Sequence, residues 1–337
     1  MEKVPLDSEK RQALKRVIAA RNIFLLNELR QILDAFHRSK IEVIILKGAA
    51  LTESLYPHIG IRGFVDIDLL VHPEDMSRVA EIIRSFNYQP EIPGADLGQP
   101  WTEKFGCIVD VTYIKQNELT VMVDVHWGLG RPGTYFDRVD IKSLWHRAKK
   151  EKVAGIDALI LCPEDLLIFL CLHMFKHCPN FNFNSLCDIG QLIKFSGSDI
   201  DWQDFVNRVF QFRICLPVRF AIQQTCRVFQ SPVPVWVLKK FDSYNPGFLE
   251  RVSFRIGRAP GQRYSTGRYT LSCILIVQGL GRKIGYLRRI FFPDRKFILW
   301  RYGNRFNSLP QYYIMHLFRV IIEFGAAISL KRSSPNE

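Results

Sequence analysis

Acidic residues are scarce at one end of this chain. Residues 251 to 337 hold sixteen Lys and Arg against three acids, Asp294, Glu323 and Glu337. Residues 1 to 250 hold 30 bases and 30 acids, so the whole net charge of +13 belongs to the last quarter. Such a segment faces a polyanion or an anionic surface. Long apolar runs are also lacking. "LLIFLCLHMF" and "CILIV" fall far short of the roughly 20 residues of a spanning helix. The polar start, "MEKVPLDSEKRQ", has no apolar stretch of an export signal. No C-x-x-C pair occurs among the eight cysteines. Without an export signal they read as reduced thiols of a cytoplasmic protein. No internal repeat at a fixed period is apparent.

What is present is core-forming material. Hydrophobic residues make up 47% of the 337, which excludes a disordered chain and allows two domains, or one with large additions. Residues 8 to 38 read as one long amphipathic helix, with Leu14, Val17, Ile18, Ile23, Leu25, Leu26, Leu29, Ile32, Leu33 and Phe36 near helical spacing. "IEVIILKG" is a buried strand ending at Gly48, "AALTESLY" turns helical, and "VDIDLLV" is a second strand. "PEDMSRVAEIIRSF" opens with Pro and two acids, as helices do. "CIVDVTYI" and "LTVMVDVHW" alternate around "KQNE" and predict an antiparallel hairpin. From "PEDLLIFLCLHMFKHC" onward the pattern is helical. The expected units are an N-terminal helix (1–40) packed on a catalytic domain (41–155), a helical domain (156–250) and a basic helical region (251–337). The fold class is α+β, a small mixed sheet flanked by helices with a mostly helical C-terminal region.

The chemistry centres on "RGFVDIDLLVH". Asp66 and Asp68 lie two apart in an apolar strand, so both point to one face and repel. Something positive should sit between them, or they should lie at the wet edge of the sheet. Asp124, on the later strand "VMVDVHW", shares a face with His126. Three carboxylates from neighbouring strands make an oxygen cage for Mg²⁺, with Mn²⁺ as an alternative. Two such ions, about 3.5–4 Å apart, clamp the attacking and leaving oxygens of a nucleotidyl transfer. On this reading, Asp68→Asn should abolish metal binding and stabilise the metal-free protein by relieving repulsion.

"LKGAAL", the Tyr56-Pro57 pair, Arg62, "DIDLLV" and "VDVHW" together resemble the DNA polymerase beta-type nucleotidyltransferase superfamily. They resemble most closely a largely uncharacterised bacterial branch, and the later "LHMFKH", "DIGQLI" and "RRIFFP" segments extend the likeness over nearly the whole chain. The resemblance implies that Asp66 and Asp68 bind both metals, and that Asp124 completes the second site and helps deprotonate the acceptor. It places Lys47, Gly48, Ala49, Arg62 and His126 around the nucleotide. Gly48 would let the backbone approach the triphosphate, with a helix N-terminus behind it. Most of the superfamily has Gly-Ser or Gly-Gly where this chain reads Lys47-Gly48-Ala49, so a hydroxyl donor is missing and Lys47 is left to supply positive charge. Arg62 either holds the triphosphate or pairs with Asp66. His126 and Trp127 either line the pocket or pack at the strand edge.

His173 and His177 stand at i and i+4, near Cys171, Cys178 and Cys187, a spacing that zinc could use. Without a C-x-x-C pair, core cysteines and histidines facing the active-site cleft are the preferred reading. Asp188 would pair with one of these histidines or with a substrate. The implied activity is transfer of an NMP from an NTP to a hydroxyl or amine acceptor, with a small molecule, glycan or peptide favoured over RNA. A toxin-like enzyme acting on tRNA or other RNA and a non-enzymatic nucleotide-binding scaffold are the alternatives.

Overall fold

The structure, a computed structural model, describes residues 8–92, 109–116, 119–130, 133–177, 181–257, 266–293, 295–303 and 308–328. Seven strands form one mixed sheet: β1 (Val43–Ile45), β2 (Asp66–Val71), β3 (Gln89–Pro90), β4 (Asp110–Lys115), β5 (Val121–His126), β6 (Lys149–Val153) and β7 (Ile156–Ile160). Their order is β3-β4-β5-β2-β1-β7-β6. The hairpin expected from the two alternating runs is β4–β5, antiparallel from Asp110↔His126 to Lys115↔Val121. β2 runs antiparallel to β1 and parallel to β5.

The period of two sorts the side chains between two layers. Val43, Ile45, Ile67, Leu69, Val71, Val121, Val123 and Val125 share a core with α1 (Ser8–Arg38) and α3 (Met76–Ser85). Ile44 and Leu70 face the other way, into a second core built with the helical region. Asp66, Asp68, Asp124 and His126 have the parity of Leu70, so the polar residues of β2 and β5 open towards the helices that follow the sheet.

Only the C-terminal part of α1 is buried, through Leu25, Leu26, Leu29, Ile32, Leu33 and Phe36. Leu14, Val17 and Ile23, which share the helical spacing, are exposed. Two polar residues fasten α1 to the sheet layer. Tyr88 and Lys115 both donate to the Glu28 carboxylate. Asn22, fully buried, donates to the carbonyls of Ile59 and Arg62 and so holds the loop before β2. α2 (Ala49–Ser54) and α4 (Ile141–Arg147) complete this half.

β6 and β7 were not legible as strands. They form an antiparallel hairpin, and β7 pairs in parallel with β1 at Ile44↔Leu159. The domain boundary expected at residue 155 therefore falls inside a hairpin of the sheet. β6, "KKEKV", is an edge strand whose first four residues are exposed, and charge on an edge hides the apolar alternation that marks a strand.

The helical region is α5 (Pro163–Lys176), α6 (Phe183–Ser196), α7 (Trp202–Gln211), α8 (Cys215–Phe229) and α9 (Val235–Asp242). Arg147 and Arg208 both pair with the buried Asp165, tying α4 and α7 to the start of α5. The described part of the basic segment is helical. It comprises α10 (Phe248–Gly257), α11 (Thr266–Ile276), α12 (Leu280–Phe291), α13 (Arg295–Tyr302) and α14 (Leu309–Ile328). Ile298, Tyr302 and Tyr312 form one of its small cores. The described cysteines are free thiols, and among the described residues no helix is long and apolar enough to cross a membrane.

Candidate active site

The site starts at the end of β1. Leu46 N–H donates to the Asp68 carbonyl, which carries the β1–β2 pairing one step further, and the chain then turns at Gly48 into α2. Gly48 has φ 65°, in the left-handed region that costs little only for glycine. A Cβ there would also lie 3.2 Å from the Asp66 carbonyl oxygen. The glycine thus lets the turn lie directly against the strand that carries the aspartates. Its carbonyl accepts from Thr52 N–H and Thr52 Oγ1. α2 spans only six residues, so its dipole adds little.

Between Asp66 and Asp68, whose repulsion the sequence assigned to a divalent cation, lies the Lys47 ammonium. Its Nζ lies 2.9 Å from Asp68 Oδ2 and 3.2 Å from Asp66 Oδ2. Burial opposes a charge on Lys47, but the two aspartates outweigh it and hold the ammonium well above the usual lysine range. Burial likewise opposes charge on Asp68, and Lys47 and His126 together pull its carboxyl far below the carboxylate range.

Asp124 comes in from β5. The parallel register pairs Asp68 with Asp124 directly, one strand spacing apart. Burial pushes the Asp124 carboxyl up and the charges of Asp68 and Asp66 add to this, while a hydrogen bond from Thr112 and the nearby His126 act the other way. Thr112 pairs with Asp124 across β4–β5 and orients it, a role with no signal in the sequence reading. His126 Nε2 lies 3.5 Å from Asp68 Oδ1 without hydrogen-bond geometry. Burial works against a charge on this ring, but Asp68, Asp110 and Asp124 outweigh it and raise its pKa.

Asp124 Oδ1 and His126 Nε2 are buried and have no hydrogen-bond partner. Asp68, Asp124 and His126 each offer one donor atom, and the three atoms lie within 4.8 Å of one another. Two carboxylates and an imidazole around orphaned buried atoms fit a divalent cation.

Arg62 is engaged elsewhere. Its Nε and Nη2 donate to the two oxygens of Asp188 on α6 at 2.7 and 2.9 Å, and Tyr56 Oη donates to the same carboxylate at 2.7 Å. Asp188, for which a histidine or substrate partner was expected, instead holds Arg62, whose Nη1 reaches the Gly48 carbonyl at 3.4 Å. His173, on α5, and His177, just past its end, lie beside the site, where the charge of Lys47 acts on both. Burial, then Lys47 and His177, push the His173 imidazole down to about 3. The two rings lie 4.8 Å apart. Among the described residues the cluster of metal-ligating side chains is Asp68, Asp124 and His126; Cys178 lies outside them. Trp127 turns away from the site into the core shared with α1 and α3.

Two solved structures show a loose likeness to this chain. The antibiotic-resistance factor ANT(2'')-Ia is 11% identical over 60% of this chain and 96% of its own, with a TM-score of 0.38. An antigenic nucleotidyltransferase-like protein from Paracoccidioides brasiliensis is 15% identical over 70% of this chain and 95% of its own, with a TM-score of 0.33. Likenesses this loose say nothing of this chain's substrate. No curated protein matches it. A sequence-family model does, over residues 4–230, a span that takes in the whole sheet and most of the helical region. The chain that brings Lys47, Asp66, Asp68 and Asp124 together belongs to that family, described as uncharacterised nucleotidyltransferases.

Proposed function

We propose that this protein is a divalent-cation-dependent enzyme that transfers an NMP from an NTP to a hydroxyl or amine acceptor and releases pyrophosphate. The observation that carries the reading is the side-by-side placement of Asp68 and Asp124 on parallel strands, with Asp66 beside them and the Gly48 turn against their strand. Asp68 and Asp124, with Asp66 close by, would hold the cation. When bound, such an ion neutralises phosphate charge and lowers the pKa of the attacking group.

The residues of the chain have their own tasks. Attack by the acceptor forms a bond to the α-phosphorus as the bond to the pyrophosphate oxygen breaks. Asp124, set directly beside Asp68 by the parallel register, takes the acceptor's proton. Arg62, fixed by Asp188 and Tyr56 near the Gly48 carbonyl, sets positive charge beside the turn where the triphosphate would lie. Catalysis of this kind is chiefly positioning and charge compensation.

The test offers each of the four NTPs, labelled at the α-phosphate, with cell extract, RNA or small acceptors. Wild type should transfer label to one acceptor class. Asp124→Asn should reduce transfer by at least about 10²-fold, the scale of a lost general base. Equal transfer by wild type and Asp124→Asn would refute the reading.

A further inference from the structure

Resting on that reading, we infer that the site takes one divalent ion, liganded by Asp68, Asp124 and His126, and that the Lys47 ammonium stands where a second ion would otherwise lie. Asp68 is the shared residue. Its Oδ2 meets Lys47 Nζ at 2.9 Å, while its Oδ1 faces His126 Nε2 at 3.5 Å. A carboxylate that bridges two cations offers one oxygen to each, and Asp68 is disposed in this way with an ammonium on one side. Asp66 belongs to the ammonium side, at 3.2 Å from Nζ, and does not join the group whose donor atoms lie within 4.8 Å.

The other side is built for a metal. His126 Nε2 and Asp124 Oδ1 are buried without hydrogen-bond partners, a costly arrangement unless another group completes it. Lys47 is held in place by the geometry of the chain. Its side chain is 13% exposed, and Gly48, the next residue, packs its backbone against Asp66. Imidazole among the donors shifts preference from Mg²⁺ towards first-row transition ions, with Mn²⁺ a suitable compromise for a nitrogen and two carboxylates.

The test is electron paramagnetic resonance of the full chain titrated with Mn²⁺ alone. The free-ion signal counts bound ions, and pulsed spectra detect coupling to a ligating ¹⁴N nucleus. Wild type should bind one Mn²⁺ per chain with nitrogen coupling that persists in excess Mg²⁺. His126→Gln should abolish the coupling and weaken binding by at least about 10-fold, and Lys47→Met should raise the count to two. Two ions on wild type, or one without nitrogen coupling, would overturn the inference and leave nucleotidyl transfer standing. No bound ion at all would overturn both. The wild-type measurement decides the case even if a variant fails to fold.

Discussion

One ammonium joins two like charges: Lys47 Nζ touches both Asp66 Oδ2 and Asp68 Oδ2, at 3.2 and 2.9 Å. This reverses the sign of an effect that repulsion alone would produce. With Lys47 in place, Asp68→Asn removes a partner of a buried cation rather than relieving a clash. The metal-free variant should lose about 1–3 kcal/mol. Lys47→Met should cost more, about 3–5 kcal/mol, because both carboxylates lose their counter-charge. Urea unfolding in chelator measures both, and a more stable Asp68→Asn protein would contradict the geometry.

Asp188 reaches from α6 to the loop before β2, where it accepts from Arg62 and Tyr56. Asp188→Ala should destabilise by about 3–5 kcal/mol, since it leaves a buried guanidinium unpaired. Tyr56→Phe, which removes one neutral donor, should cost about 1 kcal/mol. If Arg62 serves the triphosphate through this support, Asp188→Asn should raise KM for the NTP more than it lowers kcat.

His173 supplies a pH dependence. Its folded pKa is depressed to about 3 by burial and by the nearby positive groups, while the unfolded imidazole keeps its ordinary value of 6.5. Stability from this residue is full above pH 6.5. Below it the unfolded chain takes up a proton that the folded chain refuses, so stability falls as pH drops towards 3. His173→Gln should flatten the slope between pH 6.5 and 4 in thermal melts followed by circular dichroism. An unchanged slope would mean that His173 protonates freely in the folded state.

The basic region makes a salt prediction. Arg288 and Arg289 are exposed on α12, while Tyr302 and Tyr312 are buried in one of the small cores of the segment. A surface gripping RNA through six or more phosphates would lose on the order of 10³-fold affinity between 50 and 200 mM salt. The expected result is a far shallower slope, as befits a folded segment serving a small-molecule, glycan or peptide acceptor. A steep slope with label transferred to RNA would favour the toxin-like alternative.

Residue periodicity carried much of the fold. The period of two in "VMVDVHW" settled that Asp124 and His126 share a face, and the 3.6 period of Leu25, Leu29 and Phe36 settled α1. These are local rules, because the backbone geometry of one strand or helix enforces them. The glycine after β1 and the Asp-x-Asp pair were likewise visible, since a tight turn and an apolar strand have few other uses for such residues.

What joins distant segments was not visible. Lys47 precedes Asp66 by 19 residues, and Arg62 precedes Asp188 by 126. No spacing rule relates them, so their pairing depended on how β1, β2 and α6 pack. The strand β6 is not legible because an edge strand's pairing is satisfied by backbone hydrogen bonds whatever the side chains are, and β7 is set between β6 and β1 by pairing with a strand more than a hundred residues earlier in the chain. The sequence by itself determined which carboxylates, lysine and histidine are available on which strand face. Only the tertiary structure decided that Lys47 bridges Asp66 and Asp68 while Asp68, Asp124 and His126 form the other cluster, because Coulomb interactions depend on distances in space that chain separation does not set.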